Sequence, residues 1–191
     1  DWIRSLCAKA PSKFTQIARN PERSVEIGGD NQVFAPIYGA PFVRDLEGGR
    51  RYGDIASFND LVRLTYMLPS LHHGGFVTCE PCDVPVNKRH LDMLLAHMTL
   101  SDKPHLGAIT EMSRAQDSVD MAEIVFGKEV MDAICVIMGN VNTNSPLLVD
   151  KVVTEAARVY SSRGQGMVVV PFILSGAMGP VSTAASVAQA M

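Results

Sequence analysis

Cysteine is scarce. The four residues Cys7, Cys79, Cys82 and Cys135 in 191 are too few for a disulfide scaffold, and a reducing cytoplasm is the expected setting. Cys79-Glu-Pro-Cys82 has the CxxC form, but no second pair and no histidine at finger spacing accompanies it, so no metal site is expected. No apolar run approaches the roughly 18 residues of a membrane-spanning helix, which excludes a membrane partner of that kind. Basic clusters are missing too. Arg50-Arg51 and Lys88-Arg89 are only pairs, the net charge is -3 and the pI is near 5.9, so no nucleic-acid footprint is present. No low-complexity tract appears. No G-x-G-x-x-G turn follows a strand, and no Ser-His-Asp or Cys-His set can be placed at one site. The chain starts at Asp1 without a signal-peptide layout or an initiator Met, and ends inside a helical pattern. A fragment cut at both ends is expected.

What is present is apolar and periodic. Hydrophobic residues make up 47% and mean hydropathy is +0.10, ample for a core. Four apolar runs end in polar or proline exits: Gly74-Gly-Phe-Val77 before Glu80, residues 105–111 at Glu111, residues 133–140 at Asn140, and residues 166–172 at Pro171. The exits are 31, 29 and 31 residues apart, the length of a strand, a helix and two loops. Helical stripes fill the intervals. The first, Phe58, Leu61, Val62, Thr65 and Leu68, comes before the first strand and is capped by Asp54 or Ser57. The next stripe is Leu91, Leu94, Leu95 and Met98, which leaves His90 and His97 as interface or surface residues. Ser113-Arg-Ala-Gln116 reads as a capping box, with Val119, Ala122, Val125 and Phe126 behind it and Gly127 as the stop. Ser145 and Pro146 read as N-cap and N1 of the last such helix, which Gly164 closes.

Polar groups at every strand exit, rather than at one switch point, favour a (β/α)8 barrel over a doubly wound sheet. The expected fold is α/β: about four βα units, the first half of a TIM barrel, over residues 54–191. Before it, residues 1–53 form the end of a helix and a small antiparallel β-hairpin subdomain. There, residues 24–27 pair with 32–36, and Pro41-Phe-Val-Arg44 with Arg50-Arg-Tyr52. Such a half-barrel leaves two unpaired edge strands and an exposed apolar flank. His72-His73 precedes the first strand, at the end away from the chemistry, and is read as structural.

The rim offers Glu80, Glu111, Asn140, Asn142, Asn144, Ser175 and the ring of Phe172. Carboxylates, amides and an aromatic face suit a small polar or cationic ligand, held by charge and by cation–π contact. The structural alternatives are a carboxylate pair within the barrel mouth at Glu80, and turn-and-cap composition at 140–145. Gly39 and Pro41 read first as turn-forming residues, with a flap over the site as the alternative.

Pro36-Ile-Tyr-Gly-Ala-Pro-Phe-Val43, Gly49-Arg-Arg-Tyr-Gly53, Cys79-Glu-Pro-Cys-Asp-Val-Pro85, Ser101-Asp-Lys-Pro104, Asn144-Ser-Pro146 and Pro171-Phe-Ile-Leu-Ser-Gly-Ala-Met-Gly-Pro180, in this order, resemble the trimethylamine methyltransferase family over nearly the whole chain. The resemblance implies a (β/α)8 barrel that moves a methyl group from a methylated amine to the cobalt of a separate corrinoid protein. It implies no cofactor bound directly, a corrinoid (cobalamin) carried by the cognate partner protein, and a small methylated amine as substrate. On it, Glu80 and Glu111 supply charge complementarity, Asn140, Asn142, Asn144 and Ser175 orient the amine, and Phe172 faces its methyl groups. Trimethylamine enzymes of the family carry pyrrolysine in a later segment, whereas other members take quaternary amines such as glycine betaine. A non-catalytic amine-binding barrel is the reading from another class. These residues alone are expected to be inactive, and outer helices of such a barrel are compatible with a homo-oligomer.

Overall fold

The computed structural model describes residues 2–9, 11–28, 32–37, 39–47, 49–143, 148–171, 181, 183–184 and 188. The chain opens with the short helix α1 (Trp2–Cys7), as its pattern predicts. Strands β1 (Phe14–Gln16) and β2 (Val25–Ile27) pair antiparallel across a 3-10 turn at Pro21–Arg23, whose Asn20 side chain accepts from the Glu22 amide. This corrects the first expected hairpin: residues 24–27 turn back onto 14–16 and do not pair with 32–36. Phe34 instead bridges to His73, stacking on its ring at 4.2 Å. The second hairpin forms as expected, β3 (Phe42–Arg44) with β4 (Arg50–Tyr52).

Helix α2 (Ile55–Met67) is capped by Asp54, whose Oδ1 accepts from the Ser57 amide at 2.8 Å. Then come α3 (Arg89–Leu100), β5 (Leu106–Gly107), α4 (Met112–Phe126), α5 (Lys128–Ala133), β6 (Met138–Thr143), α6 (Lys151–Ser162) and β7 (Gly166–Pro171). The strands β5, β6 and β7 stand side by side in chain order, all parallel, with Leu106 opposite Met138 and Met138 opposite Gly166. Each crossover between them is helical, which parallel neighbours require. The fold is thus mixed α/β, with two small antiparallel pairs set before a parallel sheet.

Residues 74–77 are not a regular strand. Gly75 sits at φ +66, and a Cβ there would lie 2.4 Å from the Pro36 carbonyl oxygen. The segment still borders the sheet: the Gly74 amide donates to Pro104 and the Leu106 amide to Gly75. The third strand begins and ends later than its apolar run, because Lys128–Ala133 forms α5 after Gly127 closes α4 at φ +83. Asn140 therefore lies within β6, not at its exit.

Helix α3 buries half of the expected stripe. Leu94 and Met98 are inside, but with His90, Met93 and His97, while Leu91 and Leu95 are exposed. Histidine has an apolar ring body and satisfiable nitrogens, so it can occupy a core stripe when partners exist. In α4 the N-cap is Glu111, without a side-chain cap bond, and Ser113 lies inside the first turn; the capping box does not form. Helix α6 opens at Asp150, and the expected Ser145 cap lies outside the described residues.

The N-terminal strands are fastened to the sheet by Gln16. Its buried amide nitrogen donates to the carbonyls of His105 (2.9 Å) and Val136 (3.3 Å), and its oxygen accepts from His73 Nε2 (3.0 Å). His73 Nδ1 accepts from the Gly75 amide, which sets that tautomer and gives His73 a structural role. Among the described residues no helix is long and apolar enough to cross a membrane.

Candidate functional site

A cavity of about 330 Å³ opens beside the carboxyl ends of β5 and β6. Gly107, Ala108, Ile109 and Thr110 carry the β5 strand into it. Asn140 and Asn142 enter from β6; two apart on one strand, they share a face, while Val141 between them is buried on the other. Phe76, Val77 and Glu80 come from the irregular segment before α3. Arg89, His90 and Met93 come from α3, and Arg114 from the first turn of α4.

Ile37 and Gly39 complete the wall. A Cβ on Gly39 would lie 2.3 Å from Val77 and 2.9 Å from the Cys79 backbone, so only glycine lets the chain pass this close. The Glu80 amide donates to Ala40 and the Cys82 amide to Gly53. The segment singled out as a turn or a flap thus lies hydrogen-bonded along the cavity wall.

Glu80 and Arg89 form an ion pair at 3.0 Å, and Arg89 also donates to the Val84 carbonyl through Nε (3.3 Å) and Nη2 (3.2 Å). Glu111 does not line the cavity. Its side chain is 54% exposed and stands 3.4 Å from Arg114 Nε. Asn140 is 6% exposed, and neither its Oδ1 nor that of Asn142 has a hydrogen-bond partner among the described residues. Such buried acceptors are uncommon, since leaving one unmade costs about 1–3 kcal/mol. Asn144, Phe172 and Ser175 fall outside the described residues.

The lining residues Phe76, Arg89, His90 and Arg114 were missed from the sequence. His90 corrects the expectation of an interface or surface residue. It is 6% exposed, its Nε2 lies 2.7 Å from Asp117 Oδ2, and its Nδ1 has no partner among the described residues. The available signal was the 90–93–94–97 spacing, as helical as that of the leucines. Cys79 is buried, and burial first of all raises its thiol to about 11, so it stays protonated and un-nucleophilic at neutral pH. No group of three metal-ligating side chains occurs among the described residues.

A largely apolar cavity at the ends of parallel strands, with a few ion-paired and amide groups and one aromatic side chain in its wall, defines a small-molecule site in an α/β protein. The family profile described as trimethylamine methyltransferase (MTTB) matches residues 1–191, and the chain belongs to that family. It is also similar to a glycine betaine methyltransferase of Desulfitobacterium hafniense (strain Y51), 37% identical over 185 residues, covering 96% of this chain and 39% of that protein. The chain therefore spans about two fifths of the length of that curated relative.

Proposed function

We propose that these residues form the first half of a (β/α)8 barrel methyltransferase, which takes a methyl group from a quaternary amine of the glycine betaine kind. The acceptor is the cobalt of a separate corrinoid protein. Residues 1–53 act as a subdomain along the mouth of the barrel that starts at residue 54. The observation that carries this reading is the cavity itself, at the carboxyl end of a parallel sheet, whose buried Asn140 and Asn142 oxygens lack partners among the described residues. The chain-order arrangement of β5, β6 and β7 supports the barrel, and the identity to a glycine betaine methyltransferase supports the substrate. The trimethylamine reading, which would place a pyrrolysine in a later segment, has the family description alone behind its substrate.

In methyl transfer the C–N bond breaks, its electron pair stays on nitrogen, and a quaternary cation leaves as a neutral tertiary amine. The partner's reduced corrinoid supplies the electron pair that accepts the methyl group. This chain binds, orients and shields. The positive charge of a quaternary ammonium is spread over its N-methyl hydrogens, which are weak donors suited to the Asn140 and Asn142 oxygens. The Phe76 face adds cation–π attraction, worth roughly 0.5–2 kcal/mol when desolvated. Glu80 is held in place by Arg89, so its carboxylate is a fixed charge at the wall. No side-chain nucleophile is needed, because the acceptor comes from outside. The free thiols Cys79, Cys82 and Cys135 suit a reducing cytoplasm.

The test uses the full-length protein with its cognate corrinoid protein and a reductant, with glycine betaine or trimethylamine as donor. Dimethylglycine formation is the expected result. Dimethylamine from trimethylamine, with no turnover of glycine betaine, would select the other substrate. Binding of a methylated amine without transfer would leave a non-catalytic binding barrel. Residues 1–191 alone are expected to turn over neither amine.

A further inference from the structure

We propose that Arg114 reads a carboxylate on the substrate, making the α3–α4 seam a subsite for the anionic end of a zwitterion. This inference rests on the function proposed above and adds the residue that sets its specificity.

Two arginines line the cavity, and they differ in what they have left to give. Arg89 is committed: Nη1 to Glu80, Nε and Nη2 to Val84. Arg114 is not. Its Nη1 donates to Thr110 Oγ1 at 3.2 Å and its Nε lies 3.4 Å from Glu111, while its Nη2 has no partner among the described residues. Glu111 is mostly exposed, so water and salt screen its pull on the guanidinium. Arg114 thus offers donors and largely uncompensated charge to the cavity it lines, in a fork that matches a carboxylate.

The position of this fork is secured from α3. Asp117 lies three residues beyond Arg114 on α4 and accepts from, or pairs with, His90 Nε2 at 2.7 Å. That bond fastens the two helices beside Arg114. The strand wall has the opposite character: Asn140 is nine-tenths buried, and neither its Oδ1 nor that of the half-buried Asn142 has a partner among the described residues. Bare oxygens repel a carboxylate and favour a cation, whereas Arg114 does the reverse. One ligand satisfies both walls if it carries a quaternary ammonium at one end and a carboxylate at the other. A carboxylate-free amine leaves Arg114 with only the exposed Glu111 as counter-ion.

The experiment measures dissociation constants on the full-length protein for glycine betaine and for tetramethylammonium, which shares the cationic head and lacks the carboxylate. Arg114→Gln is expected to weaken glycine betaine by about 100-fold and tetramethylammonium by less than about threefold. Arg114→Lys, which keeps the charge and loses the fork, is expected to fall between, and it decides the matter if the Gln variant does not fold. Equal weakening of both ligands, or of neither, overturns the proposal. So does a wild-type protein that binds the two equally or binds neither. Discrimination without any methyl transfer would sink the proposed enzyme but not this subsite, and transfer with unaltered discrimination would do the reverse.

Discussion

At the residue scale, the buried histidines of the core carry a pH dependence. His97 is 1% exposed, stacks on His105 at 5.2 Å, and has one nitrogen on the Phe76 carbonyl and the other unpartnered among the described residues. Burial is the first cause that lowers it, to about 3, with His105 adding to the effect. Burial also lowers His73 and His105. These rings are neutral in the folded chain and have an ordinary value of about 6.5 when unfolded. Their contribution to stability is therefore present above pH 6.5 and is lost as pH falls from there toward their folded values. For His97 the window runs from about 6.5 to about 3, at roughly 1.4 kcal/mol per pH unit. Urea unfolding at pH 7 and pH 5 checks this, and a His97→Gln variant should show a shallower dependence. Glu80 lines the cavity, paired with Arg89. Glu80→Gln in the full-length enzyme is expected to lower kcat/KM by about 10- to 100-fold; unchanged kinetics would remove Glu80 from the site.

At the element scale, packing leaves little room around β5. A Cβ on Gly107 would lie 2.2 Å from Tyr160 Oη, 2.9 Å from Ser118 and 3.1 Å from Ile137, all of them in the core. Gly107→Ala is expected to destabilise by about 2–4 kcal/mol, as overpacking against a rigid ring does. Tyr160→Phe removes the 2.8 Å bond to the Ala108 carbonyl and is expected to cost about 1 kcal/mol. Denaturant titration measures both. The same elements show what a sequence can and cannot disclose. The βα order was legible because apolar runs alternate with helical stripes, and the strand-exit rule led to Glu80, Asn140 and Asn142. Arg89, His90 and Arg114 escaped because they sit on helices. The first turn of α4 faces the mouth as much as the loop before it does. The buried face of α3 escaped because ranking residues by hydropathy put Leu91 and Leu95 ahead of His90 and His97, and only the tertiary partners Asp117 and Phe76 reverse that order. The hairpin at 24–36 failed for a similar reason: β2 found β1, a partner earlier in the chain.

At the scale of the whole molecule, the proposed barrel makes a demand that the parallel sheet states openly. Strand β7 pairs with β6, and among the described residues no strand pairs with its other edge. Met167 and Val169, two apart and so on one face, are 40% and 59% exposed. Apolar side chains on an uncovered edge strand invite association. The relative of glycine betaine specificity is more than twice as long as this chain, which spans 39% of it. In a protein of that length, further βα units would pair with β7 and cover Met167 and Val169. Amide exchange tests this directly. In a parallel strand only alternate amides donate to a given neighbour, so half of the β7 amides should exchange quickly in residues 1–191. In the full-length protein the amides of 166–170 should all become protected, Pro171 having none. Light scattering on residues 1–191 should show concentration-dependent association that the full-length protein lacks at this edge. Equal exchange across 166–170 in both proteins would mean that β7 remains an edge, and would replace the closed barrel with an open sheet ending at that strand.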